Sequence, residues 1–231
     1  MAPTLTAALL DLLYPPRCAA CGEALGSSSC EPFCPVCAEA VEVVPSGCTR
    51  CGLPGPDATC GACLADPPPF DGCGAAALLG GPVADAVHAL KYRDRPALAR
   101  PLGVWLARRV AIERDATLVA VPLARGRRLA RGYDQAALLA RWVARSLGRR
   151  ASVLAAALAR VRETGAQVGR TRAERLEGVR GAFRATRAVR GRRIVLVDDV
   201  VTTGATAAAC AEALLDAGAS SVSVAALARA G

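Results

Sequence analysis

Two hydrophobic periods alternate along the chain from residue 73 onward. Short, nearly continuous apolar runs predict buried strands, and they lie at residues 73–80, 117–123, 152–158, 183–186, 193–197 and 221–226. Alanine- and leucine-rich stretches with helical spacing predict helices at residues 82–92, 96–112, 132–147 and 205–217. This alternation indicates an α/β fold, in which helices cover both faces of a parallel sheet and ligands bind at the carboxyl ends of its strands.

The strand predicted at residues 193–197 leads into a dense polar pattern. Two carboxylates, Asp198 and Asp199, come where the strand should end, and a hydroxyl-rich turn then leads into a helix. The turn and the helix start consist of Val200, Val201, Thr202, Thr203, Gly204, Ala205 and Thr206. Backbone N–H groups, hydroxyls and the positive end of the helix dipole can hold a phosphate at such a place.

The two carboxylates should not contact that phosphate, because like charges repel. We therefore expect Asp198 and Asp199 to face a ribose diol that lies beside its own 5′-phosphate. The alternative is a buried strand whose end is acidic by chance. The pattern from Ile194 to Thr206 resembles the 5-phosphoribosyl-1-pyrophosphate (PRPP) signature of type I phosphoribosyltransferases.

A basic segment follows the strand predicted at residues 117–123. Arg125, Arg128 and Arg131 lie in it, and Gly126 and Gly132 punctuate it. Such a loop after a buried strand is suited to a pyrophosphate group. Residues 160–175 are also arginine-rich and are broken by glycines, which predicts a mobile loop.

Eight of the eleven cysteines form four Cys-x-x-Cys pairs. Two such pairs can close one tetrahedral zinc site that has no open position, so the zinc would be structural. The simplest pairing gives one site to Cys18, Cys21, Cys34 and Cys37 and another to Cys48, Cys51, Cys60 and Cys63. Interleaved pairing stays open at this point, and a disulfide framework or a redox motif is the competing interpretation.

Charge is divided unevenly along the chain. Residues 1–75 hold two cations and eight acids, a net charge of −6, and the remainder holds 27 cations and 12 acids, a net charge of +15. The basic remainder fits a polyanion partner, nucleic acid above all. A GC-rich genome, which favours arginine, is the alternative explanation of the same bias.

The chain divides into three predicted parts. Residues 1–14 hold a short amphipathic docking helix, residues 15–66 a double zinc ribbon, and residues 67–231 the basic α/β domain, with three prolines at the boundary. The apolar run at residues 5–13 is too short to span a bilayer, and neither a secretion signal nor a membrane segment is found. We expect a cytoplasmic protein without membrane insertion.

The zinc knuckles, the basic segment and the PRPP signature together resemble the ComF family. Its members join an N-terminal double zinc ribbon to a phosphoribosyltransferase domain and are linked to DNA uptake in natural transformation. Residues 90–93 look like the family's Lys-aromatic segment, residues 121–135 like its Val-Pro-Leu…Arg-Gly-Phe-Asn-Gln stretch, and residues 164–167 like its Thr-x-x-Gln block. Asp134 and Gly178 stand where the family is expected to have asparagine.

This resemblance implies roles for the site residues. Asp198 and Asp199 would hold the ribose hydroxyls, and residues 202–206 would hold the 5′-phosphate. Candidates for the pyrophosphate are Arg125, Arg128, Arg131 and Lys91. Mg²⁺ would bridge the pyrophosphate, and residues 160–175 would close over the site and exclude water.

Three functions are compatible with these expectations. The first is a protein that binds PRPP or a nucleotide, handles single-stranded DNA during uptake, and meets competence or other DNA-handling proteins through its zinc module. The second is an active phosphoribosyltransferase with an unknown acceptor, and the third is a PRPP sensor without turnover. The first is our prediction.

Overall fold

The computed structural model describes residues 15–26, 31–162 and 178–231. The helix predicted at residues 5–13 and most of the loop predicted at residues 160–175 lie outside the described residues. The same holds for residues 164–167, which carry part of the family resemblance.

A five-stranded parallel sheet forms the centre of the fold. Its strands are β1 (Cys73–Leu78), β2 (Thr117–Ala120), β3 (Ser152–Val153), β6 (Arg193–Val201) and β7 (Ser221–Arg229). Their order is β1-β7-β6-β2-β3, and every neighbouring pair is parallel. β6 therefore lies in the middle of the sheet, and β1 is an edge strand.

Helices cover both faces of this sheet. They are α3 (Gly81–Tyr92), α4 (Ala99–Arg109), α6 (Gln135–Leu147) and α7 (Ala205–Asp216). Of the other helices, α1 (Pro35–Glu39) and α2 (Gly61–Ala65) lie in the cysteine-rich segment, and α5 (Arg125–Arg131) follows β2. Leu90, Leu106 and Leu139 bring α3, α4 and α6 into one core, and Leu214 of α7 packs with Leu196 in a second core. The predicted α/β class is confirmed. Within the described ranges, no helix is both long and apolar enough to cross a bilayer.

The strand predicted at residues 152–158 is wrong in its extent. Only Ser152–Val153 joins the parallel sheet, while β4 (Leu158–Arg160) pairs antiparallel with β5 (Phe183–Ala185) in a separate ribbon. Ala156 has a φ of 57°, which is a left-handed backbone conformation incompatible with a continuous strand. The apolar run therefore supplies two short strands.

The basic segment after β2 is a helix, so the prediction of a loop there was wrong. Arginine, leucine and alanine are good helix formers, and they fill α5. The helix ends at Gly132, whose φ of 75° makes it a left-handed cap.

The cysteine-rich segment packs against the sheet and its helices. Phe33 meets Trp105 of α4 edge to face, with 5.5 Å between ring centroids. The N–H of Leu78 donates to the carbonyl of Glu42 at 2.9 Å, so the chain between the two cysteine groups is hydrogen-bonded to the last residue of β1. A Cβ on Gly52 would lie 2.7 Å from the carbonyl oxygen of Cys73. The segment is thus in close contact with the edge strand.

Candidate functional site

The strand β6 runs through the acid pair and ends at Val201, not before Asp198 as predicted. It stays paired with β7 up to that point. Side chains alternate along a strand: Leu196 lies in the core with α7, and Val197 lies in the core with α3 and α4. By the same alternation Asp198 lies on the α7 face and Asp199 on the α3 face. Although they start from opposite faces of β6, the two carboxyl groups lie close enough to interact with each other.

Asp199 is almost fully buried and is held by the only lysine of the chain. Nζ of Lys91, in the last turn of α3, lies 3.0 Å from Asp199 Oδ1, and Asp199 is 4% exposed. Its other oxygen, Oδ2, is buried without a hydrogen-bond partner among the described residues. A buried acceptor without a donor is costly, and a ligand hydroxyl or a cation would remove that cost.

Asp198 is half-buried, and its Oδ1 accepts a hydrogen bond from the N–H of Asp199 at 2.8 Å. Burial raises the pKa of Asp198 well above its usual value, and the charge of Asp199 raises it further. A cation near this carboxyl would favour its ionised form. Oxygen donors are the ligands that Mg²⁺ takes, so the acid pair fits that ion.

The predicted phosphate loop, residues 202–206, forms the junction between β6 and α7. Gly204 adopts a φ of 79° directly before the helix. The N–H of Ala205 donates to Thr203 Oγ1 at 3.4 Å, but the N–H groups of Thr206 and Ala207 have no partner among the described residues. This junction has the free donors and the helix dipole that an anion needs.

A basic cleft of about 760 Å³ opens beside Lys91. It lies between the end of α3 and the helix α5. Its lining residues are Lys91, Tyr92, Asp94, Arg127, Leu129, Ala130, Arg131, Gly132 and Tyr133. Tyr133 ties the two helices together, because its hydroxyl donates to the carbonyl of Leu90 at 2.6 Å. Since Lys91 both lines this cleft and contacts Asp199, the cleft and the acid pair are adjacent.

Of the three arginines predicted for the pyrophosphate, one lines the cleft and two do not. Arg131 lines it and stacks on Tyr92, with Cζ 4.8 Å from the ring centroid. Arg125 and Arg128 are exposed and are not among its lining residues. Arg127, which sequence reasoning passed over, does line it. Helical spacing would have identified Arg127 and Arg131 as neighbours on one face, had α5 been predicted as a helix.

Asp134, the first departure from the family pattern, has a structural role. Oδ1 accepts from the N–H of Ala137 at 3.1 Å and caps the start of α6, while Oδ2 accepts from the N–H of Leu123 at 3.3 Å. Asparagine and aspartate are equally good helix caps. The substitution therefore keeps the joint between β2 and α6.

The eight cysteines gather into the two sequential groups, so the interleaved pairing is excluded. Cluster A holds Cys18, Cys21, Cys34 and Cys37, cluster B holds Cys48, Cys51, Cys60 and Cys63, and the sulfurs of each lie within 4.8 Å of one another. Cys21 and Cys34 sulfurs are 3.8 Å apart, and those of Cys51 and Cys60 are 3.7 Å apart. Tetrahedral zinc with bonds of about 2.3 Å places its sulfurs about 3.8 Å apart. Both clusters fit structural zinc.

Arg229, at the end of β7, is a site residue that sequence reasoning missed. It is 4% exposed, and its guanidinium donates to the carbonyls of Val201 and Thr202 at the start of the phosphate loop. The available signal was a lone charged residue at the end of an otherwise uncharged final strand, because a buried cation needs specific partners.

Comparison with known proteins supports both parts of the chain. Residues 9–64 match the double zinc ribbon domain family, and residues 133–231 match the phosphoribosyl transferase domain family. The first match covers both cysteine clusters, and the second covers the acid pair and the phosphate loop.

Full-length relatives are also similar to this chain. The DNA utilization protein YhgH of Salmonella typhi is 37% identical over 201 residues, which is 83% of this chain and 88% of that protein. The protein of the same name from Escherichia coli (strain K12) is 35% identical over the same shares, as is that of Shigella flexneri. The similarity therefore spans the zinc module and the basic domain together.

Proposed function

This chain belongs to the ComF-like family, which joins a double zinc ribbon to a phosphoribosyltransferase domain, and we propose that it binds PRPP or a nucleotide and acts in DNA uptake. The observation that carries the proposal is the buried Asp199, whose Oδ2 has no partner among the described residues. It lies near the end of the central strand, which leads into the phosphate loop. A ribose hydroxyl donating to Oδ2 would satisfy it.

The phosphoribosyl group then has a place for each of its parts. The 5′-phosphate lies at the start of α7, where the N–H groups of Thr206 and Ala207 are free and the hydroxyls of Thr202 and Thr203 add donors. The sugar lies between this loop and the acid pair. The pyrophosphate points to the cleft, where Arg127 and Arg131 are within its lining and can bind it as guanidinium groups do.

Lys91 connects the acid pair to the cleft. It covers Asp199 in the described state and is 20% exposed at the cleft. As pyrophosphate enters, the ammonium group turns toward it and uncovers the carboxylate for the ribose. Mg²⁺, when bound, would neutralise the charge of the pyrophosphate, and Asp198 and Asp199 would be its candidate oxygen ligands.

The same geometry would support transfer to an acceptor if one binds. Displacement of pyrophosphate leaves positive charge on the ribose ring, and two carboxylates at the sugar stabilise that charge. We propose binding as the function, because we can assign candidate groups to the phosphate, the sugar and the pyrophosphate but none to an acceptor. Release of pyrophosphate from PRPP in the presence of candidate acceptors tests for turnover.

The DNA role rests on the relatives and on the cleft. The relatives carry the name DNA utilization protein. Tyr92 is 65% exposed at the mouth of the cleft, and Arg131 stacks on it. An exposed ring among arginines suits the stacked bases and phosphates of single-stranded DNA. We place this function in the cytoplasm, with the zinc module as the contact for competence or other DNA-handling proteins.

Calorimetry with PRPP and Mg²⁺ tests the site. The double variant Asp198→Asn/Asp199→Asn should lose measurable affinity, and the matched control Asp216→Asn, an exposed acid at the end of α7, should bind as the wild type does. Equal binding by the double variant and the wild type would remove the site. Titration with single-stranded oligonucleotides at several salt concentrations tests the DNA role, since phosphate contacts give a steep negative slope.

A further inference from the structure

Arg229 is a buried cation without a carboxylate partner. Among the described residues, no acid lies within ion-pair distance of its guanidinium, although the side chain is 4% exposed. Burying a charge is costly unless specific groups compensate it. The groups that Arg229 uses are backbone carbonyls. One belongs to its neighbour Ala230, and the others belong to two separate parts of the molecule.

The first part is the phosphate loop. Nη1 of Arg229 donates to the carbonyl of Val201 at 3.2 Å and to that of Thr202. The peptide unit is planar and trans, so its N–H points away from its carbonyl. Because the Thr202 carbonyl is directed at Arg229, the N–H of Thr203 is directed away from it. Arg229 thus sets the orientation of the first peptide in the loop that receives the phosphate.

The second part is cluster B. Nε of Arg229 donates to the carbonyl of Cys51 at 3.2 Å, and Cys51 is one of the four cysteines of that cluster. The neighbouring knuckle is tightly placed, since the N–H of Gly52 donates to Cys48 at 2.8 Å. Gly52 also lies so close to Cys73 that a Cβ would meet its carbonyl at 2.7 Å. One guanidinium therefore joins the metal knuckle to the phosphate loop.

We propose that Arg229 is a positioning residue that couples metal occupancy of cluster B to the geometry of the phosphate loop. Metal holds the knuckle in shape, the knuckle presents the Cys51 carbonyl, and that carbonyl fixes the guanidinium that orients the Thr202 peptide. Loss of metal from cluster B would loosen this chain of contacts and the loop with it. The ligand arm of the test below rests on the proposed function, whereas the arm that measures loop order does not.

Hydrogen exchange read by mass spectrometry on residues 202–206, without ligand, measures the loop directly. Cys60→Ser removes a ligand of cluster B that does not contact Arg229, and Cys21→Ser is the matched change in cluster A. Zinc content is measured for each protein. We expect Cys60→Ser to speed exchange in the loop about tenfold, as the loss of one hydrogen bond to a charged group predicts, and Cys21→Ser to leave it unchanged.

The coupling is isolated by repeating Cys60→Ser in an Arg229→Met background, where the further change in exchange should be less than about twofold. Arg229→Lys keeps the charge but loses the planar guanidinium with its several N–H donors, so its effect on exchange in the loop should be intermediate. It serves in place of Arg229→Met if that variant does not fold. Unchanged exchange after zinc loss from cluster B, an equal effect of Cys60→Ser with and without Arg229, or the same effect from Cys21→Ser would each overturn the proposal.

Calorimetry with PRPP and Mg²⁺ adds the functional arm. Cys60→Ser and Arg229→Lys should weaken binding in parallel with the loss of loop protection. If the wild type fails to bind PRPP, the proposed ligand is wrong, and the exchange data still decide whether cluster B and the loop are coupled.

Discussion

Replacing Lys91 by methionine removes the cation that holds the buried carboxylate of Asp199 and leaves the length of the side chain nearly unchanged. The ion pair measures 3.0 Å, and its two side chains are 20% and 5% exposed. Asp199 would then be a buried charge with no cation beside it among the described residues. We therefore expect a clear loss of folding stability.

The magnitude follows from the burial of the pair. Breaking a fully buried ion pair from one side costs about 3–5 kcal/mol, and the one-fifth exposure of Lys91 lowers this to about 2–3 kcal/mol. For a chain of 231 residues, 1 kcal/mol corresponds to a shift in melting temperature of about 2–4 °C. Lys91→Met should thus lower the melting temperature by about 4–12 °C.

Asp199→Asn in the Lys91→Met background removes the stranded charge and should recover stability to within about 1 kcal/mol of the wild type. The control is Arg193→Met. Its ion pair with Glu113 is as short, at 2.8 Å, but the side chains are 64% and 62% exposed, so the loss should stay below about 1 kcal/mol.

Thermal and urea unfolding of the zinc-loaded proteins, followed by circular dichroism, give these differences. The reasoning is refuted if Lys91→Met and Arg193→Met cost the same, or if the double variant is no more stable than Lys91→Met alone. Either result would mean that Asp199 is not a stranded charge when Lys91 is absent.

Three further predictions concern the acid pair, the cleft and the loop. Burial and the charge of Asp199 raise the pKa of Asp198 above 3.8, so the folded state binds the extra proton and loses stability as pH rises above that value. Asp198→Asn should therefore stabilise the ligand-free protein at neutral pH and have no effect on stability below pH 3.8. Denaturant unfolding at neutral pH and below pH 3.8 checks this, and a change in stability that is equal under the two conditions would contradict it. Tyr92→Ala should weaken binding of single-stranded DNA about tenfold without changing how steeply the affinity falls with salt, whereas Arg127→Ala should reduce that slope by about one. Titrations over a salt series separate the two effects, and identical behaviour of the two variants would contradict a stacking role for Tyr92. Gly204→Ala places a side chain on a residue with a φ of 79°, so it should lower the folding stability by about 1–2 kcal/mol and weaken PRPP binding. Unfolding and calorimetry measure these two effects. Gly55→Ala, at a position with open space around it, should change neither.

The sequence predicted those features that depend on local pattern. Apolar runs and helical spacing located the strands of the parallel sheet and the four long helices, because these elements bury one face or both. The spacing of the cysteines predicted both clusters, since a Cys-x-x-Cys knuckle is a local structure that brings two thiolates to one metal. The acid pair and the turn before α7 were recognised for the same reason.

Features that depend on contacts distant in sequence were not accessible in this way. Lys91 was named as a pyrophosphate candidate, but its pairing with Asp199 requires the end of α3 to lie beside the end of β6. The contacts of Arg229 with Cys51 and Thr202 join parts of the chain that no local pattern relates. The left-handed turn at Ala156 was hidden as well, because an alanine gives no sign of a positive φ.

The position of the cysteine-rich segment along β1 has a consequence for the fate of the protein without zinc. The carbonyl of Glu42 accepts a hydrogen bond from the N–H of Leu78. Leu78 lies on β1, which among the described residues pairs with one strand, β7. An open sheet border of this kind readily recruits a strand from another molecule. Removal of zinc by a chelator would detach the cysteine-rich segment from β1. The zinc-free protein should therefore form intermolecular β-structure and precipitate before its α/β core unfolds.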